Sequence, residues 1–242
     1  MQGVASRIEW DELLNHLSSI IDVYDYMNRV MSLGLDEGVR EAFVKKLGEY
    51  CQKPRVMLDV GCGPGTLSRK LAKLGAYIIA VDPLQPMIKE AKARLRDVLA
   101  DYVVAVGERL PLRDKSVDAA VAAFSLRDFV DWRRGLHEFS RVVKSCYAIL
   151  DIARRRGFML LLQLLWWGGI VPLAALILAK KHPGHYIALA KTIARWVTPD
   201  ELAKEARKEA YRVVLERVAG GFAFQLFVLV HSHERRGYTQ RG

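Results

Sequence analysis

Apolar runs and helical periodicities alternate along this chain. Residues 56–60 (Val-Met-Leu-Asp-Val) form a short apolar run of strand type, and Leu67, Leu71 and Leu74 then recur at helical spacing. A second run, 77–81 (Tyr-Ile-Ile-Ala-Val), is closed by Asp82, and a helix with Met87, Ala91 and Leu95 on one face follows it. Pro86 suits the first turn of that helix, where a missing N–H is no loss. Residues 101–106 read as a third strand and 119–124 as a fourth, the latter nearly all apolar, as burial on both faces requires. Asp131 is placed to cap a helix carrying Leu136, Phe139, Val142 and Val143. A fifth strand is expected at 146–152, and 211–218 and 222–230 read as the last two, joined by Gly220-Gly221. Strands alternating with helices predict an α/β fold with a doubly wound, Rossmann-like, mostly parallel sheet of seven strands. Ligands of such sheets lie outside the carboxyl ends of the strands.

Two segments stand apart from this core of 51–152. Residues 1–50 read as an N-terminal helical cap, with Ile8, Leu13, Leu14, Leu17, Ile20 and Ile21 on one helical face and Asp36 as the cap of a second helix reaching Tyr50. Such a cap can pack on the sheet and also close over a ligand. Residues 158–179 carry no charge, with Arg154, Arg155 and Arg156 before them and Lys180 and Lys181 after. Their length would span a bilayer. The final strands belong to the same sheet, however, and Gly168, Gly169 and Pro172 are expected to divide the run into two short halves. The expectation is an apolar lid or hairpin, inserted at 153–197, that lines a greasy channel and touches a membrane through its basic flanks. Within it, 182–186 reads as a turn and 187–196 as a helix. Thr198 and Pro199 start the last helix of 198–231, and 232–242 reads as a polar, basic tail.

Of the 242 residues, 51% are apolar, enough for a sizeable core. Lys plus Arg exceeds Asp plus Glu by 37 − 27 = 10, which favours an anionic partner, nucleic acid or a lipid surface. Cys51, Cys62 and Cys146 are odd in number and form no C-x-x-C, so neither a disulfide framework nor a metal site is readable and a reducing cytosol is the expected home. The first ten residues lack the pattern of a signal peptide.

The candidate chemistry sits between the first two strands. Asp59-Val-Gly-Cys-Gly-Pro-Gly65 puts an acid before the first of three alternating glycines (Gly61, Gly63 and Gly65), and Asp82 places a second carboxylate at the next strand end. Dinucleotide sites usually show G-x-G-x-x-G instead. The pattern resembles the S-adenosylmethionine (SAM) site of seven-strand methyltransferases, in which the first acid lies near the methionine ammonium and the second near the ribose hydroxyls.

Further motifs narrow the likeness. Tyr24-Asp-Tyr-Met-Asn-Arg-Val-Met-Ser-Leu-Gly34, Glu108-Arg-Leu-Pro-Leu112 with Asp114-Lys-Ser-Val-Asp118, and Phe124-Ser-Leu-Arg-Asp128 with 136–144 together resemble the ubiquinone/menaquinone biosynthesis C-methyltransferases. The likeness covers about residues 20–230 and is poorest in the apolar insertion. It implies SAM as cofactor, held by Tyr24, Met27, Asp59, Gly61, Cys62, Gly63, Pro64, Gly65, Asp82, Pro83, Met87, Val106, Gly107, Glu108, Ala123 and Phe124. Departures from the family pattern fall at Pro64, Val106, Ala123 and Asp128, where the family carries a hydroxyl residue, Asp or Asn, serine and Asn. The resemblance further implies methyl transfer to a ring carbon of a lipophilic, prenylated quinol precursor, without nucleic acid or metal. Arg127 would stabilise the phenolate or orient a water, and Asp128 would accept a proton. The rivals are a phospholipid amine methyltransferase, an RNA methyltransferase and a non-catalytic SAM-binding protein.

Overall fold

A computed structural model describes residues 24–51, 53–178, 184–209, 212–216 and 224–230. Its sheet is built on strands whose residues are buried on both faces. In β1 (Val56–Val60) every residue after Val56 is buried, and in β5 (Val143–Ile152) only Lys144 and Ser145 are exposed. Five strands run parallel in the order β3 (Ala100–Val104), β2 (Tyr77–Asp82), β1, β4 (Val117–Ala123), β5. Beyond β5 lies β7 (Phe224–Val230), antiparallel both to it and to the edge strand β6 (Arg212–Glu216). The order reverses between β1 and β4, so the crevice for a ligand opens at their carboxyl ends. The strands match the expected ones within a few residues; β5 begins at Val143 rather than 146, and β3 ends at Val104 rather than 106.

The period of two along each strand sorts side chains onto opposite faces. Ala148 and Leu150 of β5 pack with α1 (Tyr24–Met31), α2 (Asp36–Tyr50) and α3 (Thr66–Ala72), whereas Tyr147 and Ile149 pack with α5 (Trp132–Val142). The helix α4 (Gln85–Arg94) follows β2 and buries Met87, Ile88 and Ala91. Asp131 caps α5 as expected, accepting N–H bonds from Arg133 and Arg134 at 3.1 Å; such a cap is worth about 1 kcal/mol. At the start of the last helix, α9 (Pro199–Glu209), Glu201 accepts from both the N–H and the hydroxyl of Thr198, one half of a capping box. Asp36 does not cap α2. Leu35 holds that position, and the Asp36 carboxylate turns instead to Arg40 at 2.9 Å.

Two further sequence expectations are corrected. The first concerns cysteine: Cys51 and Cys146 form a disulfide between the end of α2 and β5, their Cα atoms 5.9 Å apart. The 95-residue separation hid the pair, since connectivity is a property of the fold and not of spacing. The argument for a reducing compartment loses its ground with it. The second concerns the apolar run. α6 (Phe158–Leu165), a π-helical turn (Trp166–Ile170) and α7 (Val171–Leu178) join without a break, so Gly168, Gly169 and Pro172 do not divide it. The Val171 N–H donates to the Trp166 carbonyl, five residues back. This wider turn shifts the hydrogen-bond ladder immediately before Pro172, where a donor is missing. Residues 158–177 are thereby a 20-residue helix long and apolar enough to cross a membrane by length and composition. Gln163 ties it to the strand end, donating to the Ala153 carbonyl at 2.9 Å and accepting from the Arg155 N–H at 3.0 Å. The Trp166 indole N–H donates to the Met31 carbonyl. Its opposite face, with Phe158, Leu161, Leu165, Leu173, Leu176 and Ile177, is exposed. After it, α8 (Gly184–Arg195) leads back to the sheet. That helix begins at Gly184, so 184–186 are helical rather than part of the expected turn. The N-terminal helical face at 8–21, the lysines 180 and 181, residues 182 and 183 of the expected turn, the glycine pair 220–221 and the tail from 231 lie outside the described residues.

Candidate active site

The glycine turn is stitched to the neighbouring strand. The Gly61 and Cys62 N–H groups both donate to the Val81 carbonyl, at 2.7 and 3.0 Å. Gly61, Gly63 and Gly65 all have positive φ, from +53° to +85°, a conformation that costs little only without a Cβ. At Gly61 space decides as well, since a Cβ would stand 2.3 Å from the Ser125 Cβ. Asp82 fastens the turn from the other side: one carboxylate oxygen accepts the Gly63 N–H and the other the Leu84 N–H, both at 2.9 Å. Burial pushes the Asp82 carboxyl up, and those two N–H bonds draw it back. Each oxygen keeps a further lone pair for a hydroxyl donor.

Asp59 is 1% exposed and accepts a 2.6 Å bond from the Ser68 hydroxyl on α3. Burial raises its pKa from 3.8 to about 6, against the Ser68 bond; Asp82 adds to the rise and Arg40 opposes it. A carboxylate held at such cost suits a ligand with a cationic end. Phe124, at the end of β4, has φ +60°, uncommon for a bulky residue. Its N–H donates to the Leu150 carbonyl, and its ring lies beneath the Arg40 guanidinium, 5.3 Å from Cζ to ring centroid.

A second cluster stands where β4 and β5 end. A 3-10 turn (Leu126–Asp128) carries Arg127 and Asp128. Asp151 Oδ1 accepts from Arg127 Nη1 at 2.7 Å and Oδ2 from the Arg127 backbone N–H at 3.2 Å. The Arg127 side chain also lies 3.5 Å from Asp128. Burial lifts the Asp128 carboxyl to about 6; Arg127 lowers it, Asp151 raises it and a hydrogen bond from Thr192 lowers it. Asp128 Oδ1 is buried without a hydrogen-bond partner among the described residues.

Not every expected residue faces the crevice. Met87 is buried on α4, and Met27 and Cys62 share one core cluster, the Cys62 thiol pushed up by burial, Asp59 and Asp82. Pro64 and Gly65 line a separate cavity of roughly 560 Å³ with Arg29, Arg69 and Lys73, to which neither Asp59 nor Asp82 contributes. Glu108 accepts the Val130 and Asp131 N–H groups, so it fastens its loop to the start of α5. Gly107 is set by packing, because a Cβ would meet the Phe129 ring at 2.2 Å. Val106 is exposed, Pro83 and Ala123 are half-buried, and Tyr24 begins α1. Sequence reasoning missed Arg40, Ser68 and Asp151. Asp151 had a signal, being the lone charge in the otherwise buried stretch 146–152. Arg40 had one too, standing with Phe43, Val44 and Leu47 on one helix face.

A glycine turn between two buried carboxylates, at the switch point of this sheet, defines a SAM-dependent methyltransferase. Magnesium protoporphyrin IX methyltransferase from Synechocystis, solved with bound SAM, shares the fold with a TM-score of 0.59 at 12% identity, over 90% of this chain and 97% of that one. A sequence profile of the ubiE/COQ5 methyltransferase family matches residues 9–226, and the chain belongs to that family. The demethylmenaquinone methyltransferase of Roseiflexus castenholzii is 31% identical over 226 residues, 91% of this chain and 92% of the relative. That of Thermotoga maritima is 29% identical over 214 residues, 81% and 86% of the two chains.

Proposed function

We propose that this enzyme methylates a ring carbon of a prenylated quinol precursor, the reduced form of a quinone of the kind named in its demethylmenaquinone methyltransferase relatives. SAM, when bound, supplies an activated methyl group. The protein's part is to hold donor and ring in line and to manage one proton. Asp59 and Asp82, with the backbone of the glycine turn, are the groups that would hold the cofactor; the chemistry of these donors fits a ligand with a cationic end and vicinal hydroxyls.

The observation that carries the substrate reading is the Arg127–Asp128–Asp151 cluster. A ring carbon becomes nucleophilic when the neighbouring hydroxyl loses its proton. Asp128 offers a buried oxygen with no hydrogen-bond partner among the described residues and a carboxyl at about 6, so it can accept a hydroxyl proton near neutral pH. Arg127 stays charged and stabilises the phenolate, directly or through a water. Asp151 orients it by two bonds.

In this reading 24–50 form a cap over the cofactor, and 153–178 with 184–197 a lid over the substrate. The exposed face of helix 158–177 lies along a membrane surface and admits a lipophilic substrate, with the exposed Arg156 beside anionic headgroups. Both flanks of the helix return to one sheet, which supports surface docking over a crossing.

The test is to incubate the enzyme and SAM bearing a labelled methyl group with a membrane and cytosol extract from a strain lacking quinone methylation. Label in the organic phase that depends on chemical reduction of the extract is the expected result. Label there without that dependence would favour a phospholipid amine, and label in RNA would overturn the quinol reading.

A further inference from the structure

Two sides of α8 meet two different neighbours. Ala190 and Ile193, three residues apart, are buried in the cluster that also holds Trp167, Val171 and Ala175 of the apolar helix. A Cβ on Gly168 of that helix would touch the Ala190 Cβ at 3.8 Å. Thr192 and, one turn on, Trp196 lie on the adjoining side. Trp196 is buried in a separate cluster with Leu126 of the 3-10 turn, and it meets the Trp132 ring edge-on, ring centroids 5.9 Å apart. α8 packs directly on the 3-10 turn, and there the half-buried Thr192 gives its hydroxyl to Asp128. One helix thus reaches from the apolar helix to the turn that carries Arg127 and Asp128.

The other neighbours of Asp128 hold it loosely. Arg127, on its own turn, is engaged by Asp151 at 2.7 Å and stands 3.5 Å from Asp128. Asp151, on β5, repels it. α5 meets the turn through Gly135, where a Cβ would lie 3.4 Å from Leu126. The charged side chains of α5 are turned elsewhere: Arg133 to Glu205, His137 to Glu209, Glu138 and Arg141 to each other, and Arg134 to solvent. Lys191 and Arg195 of α8 are exposed. Burial drives the Asp128 carboxyl toward its neutral form, in which it can take no proton, and Arg127 and the Thr192 hydroxyl oppose this. The hydroxyl is a neutral donor that favours the ionised carboxylate and fixes its plane. Asp128 Oδ1 has no hydrogen-bond partner among the described residues.

We propose that Thr192 is a positioning residue for methyl transfer: from the lid, its hydroxyl holds the Asp128 carboxylate so that Oδ1 faces the ring hydroxyl of the substrate. The inference rests on Asp128 being the group that takes the hydroxyl proton. Seating α8 over the substrate and readying the proton acceptor are then one event, because the same helix does both.

The experiment follows transfer of a labelled methyl group from SAM to a chemically reduced, short-tailed demethylmenaquinone, with kcat and KM measured at a series of pH values. Thr192→Val removes the hydroxyl and keeps the branched shape. Its acid limb of kcat should move up by about 1 pH unit, because a bond to the ionised carboxylate is lost. In consequence kcat should fall about 10-fold at pH 6 and only about two-fold at pH 8, with KM for SAM within about two-fold of wild type. Thr192→Ser should return the limb to its place. An unmoved limb, a loss equal at every pH, or no rescue by serine would mean that Thr192 only packs the lid, and each overturns the proposal. If Thr192→Val does not fold, Thr192→Ala carries the same expectations. Asp128→Asn separates the proposal from the reading beneath it. Turnover lowered at least about 100-fold there, with an unmoved limb in Thr192→Val, refutes Thr192 alone. An Asp128→Asn variant that keeps the wild-type limb removes Asp128 as the proton acceptor, and the proposal falls with it. Failure of the wild type to methylate the quinol would refute the substrate reading, and this proposal too.

Discussion

Replacing Asp59 by asparagine should make this protein more stable and a poorer binder of its cofactor. In the folded chain the Asp59 carboxyl titrates at about 6, chiefly because it is buried, against an ordinary value of 3.8. A carboxyl raised in this way favours the folded state fully below the ordinary value. That contribution is lost as pH rises through about 6. The loss amounts to about 3 kcal/mol, at roughly 1.4 kcal/mol for each pH step between the two values. Asparagine removes the charge and can keep the bond to the Ser68 hydroxyl. Allowing for an imperfect amide fit, the gain at pH 8 should be about 1–3 kcal/mol, and for a chain of this size Tm should rise by about 2–10 °C. At pH 4 wild type and variant should unfold at nearly the same temperature. Asp128 titrates in the same window but is present in both proteins, so it cancels. The assay is thermal unfolding of both proteins from pH 4 to pH 8, paired with S-adenosylhomocysteine titration, in which affinity should fall at least about 10-fold. A variant no more stable than wild type at pH 8, or a gain independent of pH, would refute the reasoning. Stability gained with binding lost is the signature of a charge buried for a ligand's sake.

Three further outcomes follow from the same geometry. Without reductant, the denatured protein should show one reactive thiol, Cys62, and with reductant three; the pair Cys51→Ala and Cys146→Ala should lower stability by about 4–5 kcal/mol, given the 95-residue separation, which thermal unfolding would show as a drop in Tm. Arg127→Ala should cut turnover about 100-fold or more while S-adenosylhomocysteine affinity holds, and full turnover with intact binding would remove Arg127 from the mechanism. Leu161→Asp with Leu173→Asp should abolish flotation of the protein with anionic vesicles at physiological salt while leaving Tm nearly unchanged, because both side chains are exposed.

Much of the architecture was legible because parallel strands are written as apolar runs. Residues 56–60, 77–82 and 119–123 needed only their hydrophobic pattern and a following helical period. The glycine turn was legible from its acids as well as its glycines. What escaped were relations between distant segments. Cys51 and Cys146 meet only after α2 is laid on β5, and no spacing rule connects them. Arg127 and Asp128 were found as neighbours in sequence, but Asp151, which orients the pair, comes from the next strand. Pro64 and Gly65 read as part of one loop, yet the turn sends them to another cavity. In the apolar run, counting helix breakers failed because one wide turn absorbed both the glycines and the proline.

That wide turn has a consequence for rotational phase. The buried side of the long helix runs Gln163, Trp167, Val171, Ala175, a step of four residues sustained over three intervals. An ordinary α-helix advances 3.6 residues per turn and would drift about 40° at each step. A π turn behaves as one residue inserted into an α-helix, a phase correction of about 100°. It therefore keeps Phe158, Leu161 and Leu165 in line with Leu173 and Leu176 along one exposed edge. Deleting a single residue between 166 and 170 would turn the step of four into the i, i+4, i+7, i+11 spacing of an ordinary α-helix and leave the two halves in phase. Straightening the turn with no residue removed would instead rotate the second half by about 100° and carry Val171 and Ala175 off the buried side.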